Sequence, residues 1–357
     1  MLRPCLITLI TGLLLVPVQA QAQAGSIRST AVVDLDFNEK AGPAVDTASA
    51  GQANNSGRLL AGARRVPSPF ATPRGGRAVL LEAARKQFIQ IPSTPDTSRP
   101  NAVSIAMLLV NFHGPADAGL HGLFAKRSSD KTARSNYGLN FQPKGNLLQL
   151  YVNDGSGFRV VRYSVSGVLG SRQRVHLVAA LAIGDAPGAD SDTDADDLRV
   201  RLFVNGKPAT RIGKPDRDLA VGTDVWLLDV KTDMLQNSAP LTLGASTPSA
   251  EHFSGVIDEF QLFDRELTAA EAAGLFAEVA GADADKRFAR DRQPVAGLPA
   301  VPQLTGVSLR GLQIGQTTRL VLTGKNLAPN PLLLAPLSGI ETKVVEGSNG
   351  QTLTLDI

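Results

Sequence analysis

The stretch FSGVIDEFQLFDRELTAAEAAGLF, Phe253 to Phe276, decides the fold class, because a strand pattern passes directly into a helix pattern. An apolar run interrupted only by Asp258 and Glu259 indicates a largely buried strand. Thr268 and Glu271 then have the S/T-x-x-E spacing of a capping box, in which two side chains satisfy the free N–H groups of a helix start. The stretch therefore predicts a closing strand followed at once by a short helix.

Short apolar or alternating runs fill the chain between residues 31 and 263, separated by Gly, Pro, Asn and Asp. AVSIAMLLVNF, NLLQLYVND and LRVRLFVNGK are examples, and no long amphipathic helix pattern lies between them. Such an array predicts an all-β fold, an antiparallel two-sheet jelly-roll sandwich with a short C-terminal helix. It argues against alternating βαβ units.

Residues 1–24 have the features of a secretory signal peptide. Arg3 precedes an apolar core from Leu6 to Val18, and small alanines suited to cleavage follow. This core is shorter than the ~20 residues of a membrane-spanning helix, so the mature chain is expected to be secreted or at the cell surface without a membrane span. The only cysteine, Cys5, lies in the leader, which excludes disulfides and Cys-ligated zinc from the mature protein.

The charge balance gives no reason to expect a nucleic-acid partner. The formal net charge is +3, and removal of the leader with Arg3 leaves a nearly balanced mature chain. Nucleic-acid binding rests on clustered positive charge, which this composition does not supply.

The chain after the predicted helix divides into a linker and a second β region. Residues 281–302 are charged and then rich in Pro and Gly, as is typical of a linker. Residues 303–357 return to a strand pattern but are short for an Ig-type sandwich of about 100 residues. We therefore expect a sandwich over 28–280, a linker over 281–302 and a partial Ig-like β-sandwich over 303–357.

Several of these phrases resemble the laminin G-like, concanavalin A-like jelly-roll domains of secreted bacterial proteins. The opening Phe37-Asn38-Glu39 with Asp46 is similar to the family's first motif, although Asn38 stands where aspartate is usual. RVHLVAAL with LRVRLFVNGKP, and the closing GVIDEFQLFDRELTAAEAAGLF, are similar to its later motifs. The region from Gln303 resembles the start of an IPT-like or Ig-like module. The resemblance implies the same sandwich fold in an exported binding protein.

The acidic residues of the strands do not form the carboxylate pair that glycoside hydrolysis needs. Consecutive strand residues point to opposite faces, so Asp258 and Glu259 cannot flank one glycosidic bond. Asp34 and Asp36 share a face, but that face is expected to be exposed to solvent. Glu259 is expected on the exposed face of its strand, paired with Arg265. No catalytic residue is therefore assigned.

Asp258 is expected to share a buried face with Phe260. A buried carboxylate must be hydrogen-bonded, paired, metal-bound or protonated. One hypothesis is that Asp258 accepts backbone N–H groups from the first strand or its following loop. The other is a calcium ion shared with Asn38, Glu39 or Asp46, whose oxygen ligands suit Ca²⁺. No other cofactor is expected.

The histidines give no sign of a zinc site. His113, His121, His176 and His252 are dispersed, with neither H-x-H nor H-x-x-x-H spacing. His176 lies in a strand pattern, where a structural role is expected.

These observations favour an exported, non-catalytic binding or adhesion module that recognises carbohydrate or an extracellular protein. Its binding surface would be formed by loops at one end of the sandwich or by one sheet face. The alternative is a targeting module of a larger hydrolase whose catalytic domain lies beyond residue 357.

Overall fold

The computed structural model describes residues 26–51, 54–70, 72–128, 136–153, 157–165, 168–184, 197–212, 225–230, 234–281, 303–308, 317–325, 327, 343–349 and 351–356. The predicted signal peptide and nearly all of the predicted linker lie outside these residues.

Twenty-one strands and one α-helix lie within the described residues. The strands are β1 (Val33–Leu35), β2 (Arg58–Leu60), β3 (Arg64–Pro67), β4 (Arg77–Leu81), β5 (Phe88–Ile91), β6 (Ala102–Asn111), β7 (His121–Lys126), β8 (Asn136–Gln142), β9 (Leu147–Asn153), β10 (Phe158–Ser164), β11 (Arg174–Ile183), β12 (Asp197–Val204), β13 (Lys207–Pro208), β14 (Thr210–Ile212), β15 (Val225–Asp229), β16 (Leu241–Leu243), β17 (Gly255–Phe263), β18 (Gln303–Val307), β19 (Arg319–Lys325), β20 (Lys343–Val344) and β21 (Thr352–Asp356). The helix α1 is Ala269–Ala280, and single 3₁₀ turns occupy Ile27–Thr30 and Ala83–Arg85.

Two large antiparallel sheets make the sandwich. The first has the order β13-β12-β11-β6-β17-β4-β3, with β1 also paired to β17 and β15 to β12. The second has the order β14-β10-β9-β8-β7-β16-β5-β2. The predicted all-β, two-sheet antiparallel architecture is confirmed.

The first sheet is buried on both faces, and β6 at its centre illustrates why its sequence is apolar throughout. Ile105, Met107 and Leu109 pack in the core between the two sheets. Leu108 and Val110 belong to a second cluster on the other face, which α1 covers. A strand with two buried faces reads as a continuous apolar run rather than an alternation.

The helix begins with the capping box that its sequence spacing predicts. The Thr268 hydroxyl accepts the Glu271 N–H at 3.2 Å, and the Glu271 carboxylate accepts the Thr268 N–H at 2.8 Å. Leu275 and Phe276 bury the apolar side of the helix against the first sheet. Because an isolated helix of this length is marginal in water, this packing is what stabilises it.

The hairpin between β12 and β13 packs directly beneath α1. Asn205 and Gly206 form its turn with φ angles of 51° and 72°, the left-handed conformation that such a turn needs. A Cβ on Gly206 would lie 3.2 Å from the Cβ of Phe276, so glycine also allows the close approach of the helix. His176 packs in the same place, fully buried and stacked on Phe276, and burial lowers its pKa to about 3.

The C-terminal region forms a separate four-stranded sheet in the order β18-β19-β21-β20. Its apolar cluster consists of Leu320, Leu322, Leu327, Leu353 and Leu355. The described residues of this region form a single sheet. The Ig-like sandwich therefore remains a prediction.

Replacement of the capping threonine tests the helix start. Thr268→Ala should lower the free energy of unfolding by about 1 kcal/mol, because the Glu271 N–H loses its acceptor. Thr268→Ser keeps the hydroxyl and should be nearly neutral. Urea unfolding of the three proteins measures the difference, and equal losses in both variants would assign the effect to the threonine methyl group.

Candidate functional site

The closing strand β17 contains a bulge at its acid pair. Its pairing with β6 is regular up to Asp258 and resumes in a shifted register at Gln261. Glu259 lies in the bulge with a φ of 49°. The irregularity changes the side-chain alternation, so Phe260 faces the core between the sheets while Asp258 lies on the outer side with Val256. The expectation that Asp258 and Phe260 share a face is therefore wrong.

Both acids lie on the outer side of the first sheet, under the N-terminal segment. Glu259 is ion-paired with Arg28, and Arg28 binds Asp34 at 2.7 Å. Arg74 binds Asp34 at 2.8 Å and Asp36 at 2.6 Å. The side chains of Glu259 and Asp34 are 1% and 11% exposed. The expectation that they face solvent is therefore wrong. We call these five residues the buried ion network.

The expected pair of Glu259 with Arg265 is also wrong. Arg265 binds Glu271 in the first turn of α1, with 2.6 Å between Nη1 and Oε1. Because the helix starts immediately after β17, the Arg265 guanidinium reaches the helix rather than the bulge. The actual partner, Arg28, comes from the opposite end of the sandwich sequence.

Burial dominates the protonation of the acid pair. It raises the pKa of Asp258 to about 8, because hydrogen bonds from the Ser68 hydroxyl (2.6 Å) and the Glu259 N–H (2.8 Å) only partly replace lost water. Burial likewise raises the pKa of Glu259, although Arg28 offsets part of the effect. At Asp34 the two guanidinium groups outweigh burial and lower the pKa.

The raised pKa of Asp258 predicts a pH-dependent stability difference. The folded state binds the Asp258 proton more tightly than the unfolded chain, so stability from this group is present near pH 4 and is lost as pH rises toward about 8. Asp258→Asn keeps a neutral, hydrogen-bonding side chain. As pH rises across that range, the free energy of unfolding of the parent should fall by on the order of a few kcal/mol relative to that of the variant. Urea unfolding at several pH values measures the difference, and a constant difference would contradict the assignment.

Replacement of Glu259, the buried acid in the bulge, should destabilise the fold. Glu259→Gln leaves Arg28 without one of its two carboxylates and should lower the free energy of unfolding by about 3 kcal/mol. Glu82→Gln is the matched control, because Glu82 pairs with Arg85, whose side chain is 64% exposed, and with Arg64, whose side chain is 35% exposed. Pairs this exposed each contribute less than about 1 kcal/mol. Equal losses in the two variants would show that Glu259 is not held in a buried pair.

The predicted calcium ligands are each bound to separate protein groups. Asn38 accepts the Arg77 N–H at 2.7 Å, and Glu39 pairs with Arg65 at 2.8 Å. Asp46 accepts the N–H of β1 residue Asp34 at 2.9 Å.

Within the described residues, Glu39, Asp46 and Asp258 do not converge as one group of metal-ligating side chains. Asp258 binds Ser68 and its own neighbour rather than the first strand. Calcium binding by these residues remains a prediction.

A cluster that the sequence did not predict lies at the turn between β6 and β7. His113, Asp117 and His121 place their ligating atoms within 4.8 Å of one another. The two imidazole rings are stacked, with centroids 3.4 Å apart. Burial and the neighbouring His121 lower the pKa of His113 to about 4, which keeps that ring neutral at pH 7. The signal in the sequence was H-x₃-D-x₃-H, which a search for histidine pairs alone misses.

The outer side of the second sheet carries what we call the aromatic patch, formed by Arg127, Tyr151 and Phe158. Phe158 is 52% exposed and meets Tyr151 edge to face, with centroids 5.8 Å apart. The guanidinium carbon of Arg127 lies 4.9 Å from the Phe158 centroid and 5.8 Å from that of Tyr151. The Tyr151 hydroxyl is enclosed, with Ser246 and Arg127 as its neighbours.

A hydrogen-bonded polar cluster lies beside this patch. The Ser246 hydroxyl donates to the side-chain oxygen Oδ1 of Asn140 at 2.7 Å. The side-chain Nδ2 of Asn140 donates to the Glu251 carboxylate at 3.0 Å. Tyr151 lies across Gly138, where a Cβ would come within 2.4 Å of its hydroxyl oxygen. Glycine at this position is therefore what lets the tyrosine lie flat on the sheet.

A cleft of about 590 Å³ lies at one end of the sandwich, between the turn after β5 and the segment before β16. Two of its hydroxyls, Ser93 and Ser98, donate to the carbonyl oxygen of Asn237 at 3.2 and 2.8 Å. Lys126 is buried below, with Nζ bonded to Ser93 Oγ and to the Ala239 carbonyl, and burial lowers its pKa to about 8. These polar groups already bind one another, which leaves the cleft less able to bind a ligand than the aromatic patch.

Comparisons with known proteins give structural likeness only. No family model matches the chain, and no curated protein matches it. Among solved structures, the binding domain of botulinum neurotoxin DC in complex with rat synaptotagmin II aligns with a TM-score of 0.46 and 14% identity, covering 70% of this chain and 52% of that chain. The same domain in complex with SialylT gives 0.47 and 14%, again over 70% and 52%.

The binding domain of botulinum neurotoxin serotype C1 gives a TM-score of 0.47 and 13% identity over 70% of this chain and 52% of that chain. This chain thus spans about half the length of the structures that it matches. A TM-score below 0.5 at such identity identifies neither a family nor a ligand. No helix in the described ranges combines the length and hydrophobicity needed to cross a bilayer.

Proposed function

We propose that this chain is an exported, non-catalytic binding or adhesion module that recognises carbohydrate or an extracellular protein through the aromatic patch. The observation that carries the proposal is the half-exposed ring of Phe158, held under a guanidinium and edge to face with the Tyr151 ring. Large rings in fixed positions offer contact area with little entropy to lose on binding.

The chemistry of the patch suits a sugar ring. A pyranose has an apolar face of C–H groups and a rim of hydroxyls. Phe158 offers an apolar surface for the first, while the Arg127 guanidinium offers polar contacts for the second. The neighbouring Asn140 and Glu251 are oriented by their mutual hydrogen bond and extend the polar rim.

Three features support the proposed membership of the laminin G-like family. The chain has two antiparallel sheets, a bulged closing strand and a capped helix directly after it. The leader-like residues 1–24 support export to the exterior or the cell surface, and the strand pattern of 303–357 supports an Ig-like module after the sandwich.

The alternative is a targeting module for a hydrolase whose catalytic domain follows residue 357. The two hypotheses share the binding surface and differ in what the remainder of the gene encodes. Sequencing downstream of Ile357 separates them. A hydrolysis assay on the purified chain tests the non-catalytic part of the proposal directly, because turnover would contradict it.

Binding to a glycan and matrix-protein array tests the patch. Phe158→Ala should weaken binding of any ligand that the parent retains by about tenfold, equivalent to ~1.4 kcal/mol, because the stacking surface is lost. Phe112→Ala is the matched control, since Phe112 is also exposed, at 40%, but lies outside the patch. Equal binding by the parent and Phe158→Ala would contradict the patch. Absence of any retained glycan or protein would contradict the proposed function.

A further inference from the structure

The loop between β6 and β7 brings two imidazole nitrogens and one carboxylate oxygen close together. Asp117 Oδ2 lies 2.9 Å from His113 Nδ1 and 2.9 Å from His121 Nε2. Asp117 Oδ1 accepts the Gly119 N–H at 2.8 Å, which fixes the orientation of the carboxylate. The three side chains come from one short segment, and backbone groups of Ser254 and His252, just before β17, contact the two rings.

The hydrogen bonds of His113 define its tautomer. The backbone N–H of Ser254 donates to His113 Nε2 at 2.8 Å, so this nitrogen carries a lone pair rather than a proton. In a neutral ring the proton is then on Nδ1, where it is donated to Asp117. His113 therefore holds and orients the carboxylate.

The hydrogen bonds of His121 leave an electrostatic conflict. His121 Nδ1 lies 2.9 Å from the carbonyl oxygen of His252, which can only accept, so Nδ1 carries a proton. Nε2 lies 2.9 Å from Asp117 Oδ2, which is also an acceptor. A nitrogen lone pair and a carboxylate oxygen this close require a positive charge between or beside them, either a proton or a metal ion.

We propose that His121 Nε2 and the Asp117 carboxylate bind a divalent transition-metal ion such as Zn²⁺, with His113 as the residue that positions the carboxylate. An Nδ1–H donated to a backbone carbonyl is the usual outer contact of a metal-binding histidine, since it aims the Nε2 lone pair at the metal. Imidazole with carboxylate suits zinc and its neighbours, whereas calcium selects oxygen ligands alone.

The site is open to solvent on the side of Asp117. The Asp117 side chain is 34% exposed, whereas those of His113 and His121 are 8% and 12% exposed. An ion can therefore enter from the turn, and two protein ligands leave coordination positions for water or for an oxygen of a bound molecule. The proposal does not depend on the proposed function, because metal binding is measured without any glycan or protein ligand.

Calorimetric titration of the chelator-treated chain with zinc chloride tests the site. The parent should bind about one equivalent, and Asp117→Asn and His121→Ala should each weaken binding at least tenfold. Asp117→Asn retains an oxygen that can accept the Gly119 N–H, so its fold should be preserved, and circular dichroism checks this. His252→Gln is the matched control, because it removes a histidine ring outside the cluster and keeps the backbone carbonyl that contacts His121 Nδ1. Calcium chloride should give no corresponding heat.

Three results would overturn the proposal. Unchanged zinc binding in a folded Asp117→Asn variant would place the metal elsewhere, and an equal loss in His252→Gln would show non-specific binding to histidines. Failure of the folded parent to bind zinc would assign the positive charge between His121 and Asp117 to a proton. If His121→Ala does not fold, Asp117→Asn alone decides between these outcomes.

Discussion

The ion pair between Arg28 and Glu259 is the interaction on which the closure of the sandwich depends. The bulge in β17 places Glu259 where water cannot reach it, and Arg28, from the 3₁₀ turn before β1, supplies the opposing charge. The same turn donates the N–H groups of Ile27 and Arg28 to Glu278 on α1, at 2.8 and 3.1 Å. One short N-terminal segment therefore joins the first strand, the last strand and the helix.

Burial and the balance of charge around the bulge explain why the pKa of Asp258 is raised and its carboxyl favours the protonated form. Within the described residues, Asp34, Asp36 and Glu259 share two guanidinium groups, those of Arg28 and Arg74. A further ionised carboxylate would be buried without a cation, which costs several kcal/mol. A protonated carboxyl avoids this cost and still makes hydrogen bonds, and so the bulge can hold two consecutive acids on one side of the sheet.

The sequence predicted the sandwich because alternation and capping are local signals. The spacing of Thr268 and Glu271, and the Asn205-Gly206 turn, specify their structures within a few residues. The bulge is different, since an irregularity in one strand is defined only by its partner β6, and a side-chain period of two then assigns the wrong face to every residue beyond it. The partner of Glu259 was equally hidden, because Arg28 lies 231 residues away in the chain.

The segment between β16 and β17 connects the two proposed sites. The His252 carbonyl accepts from His121, and its neighbour Glu251 accepts from Asn140 in the polar cluster beside the aromatic patch. The Glu251 carbonyl also accepts the Gly122 N–H, so the segment is tied to β7 at two successive residues. A metal ion on His121 would stabilise that segment in its present position and with it the orientation of Glu251. Coupling between two binding sites is reciprocal, so a ligand that contacts Glu251 would change the affinity for the metal by the same factor as the metal changes the affinity for the ligand.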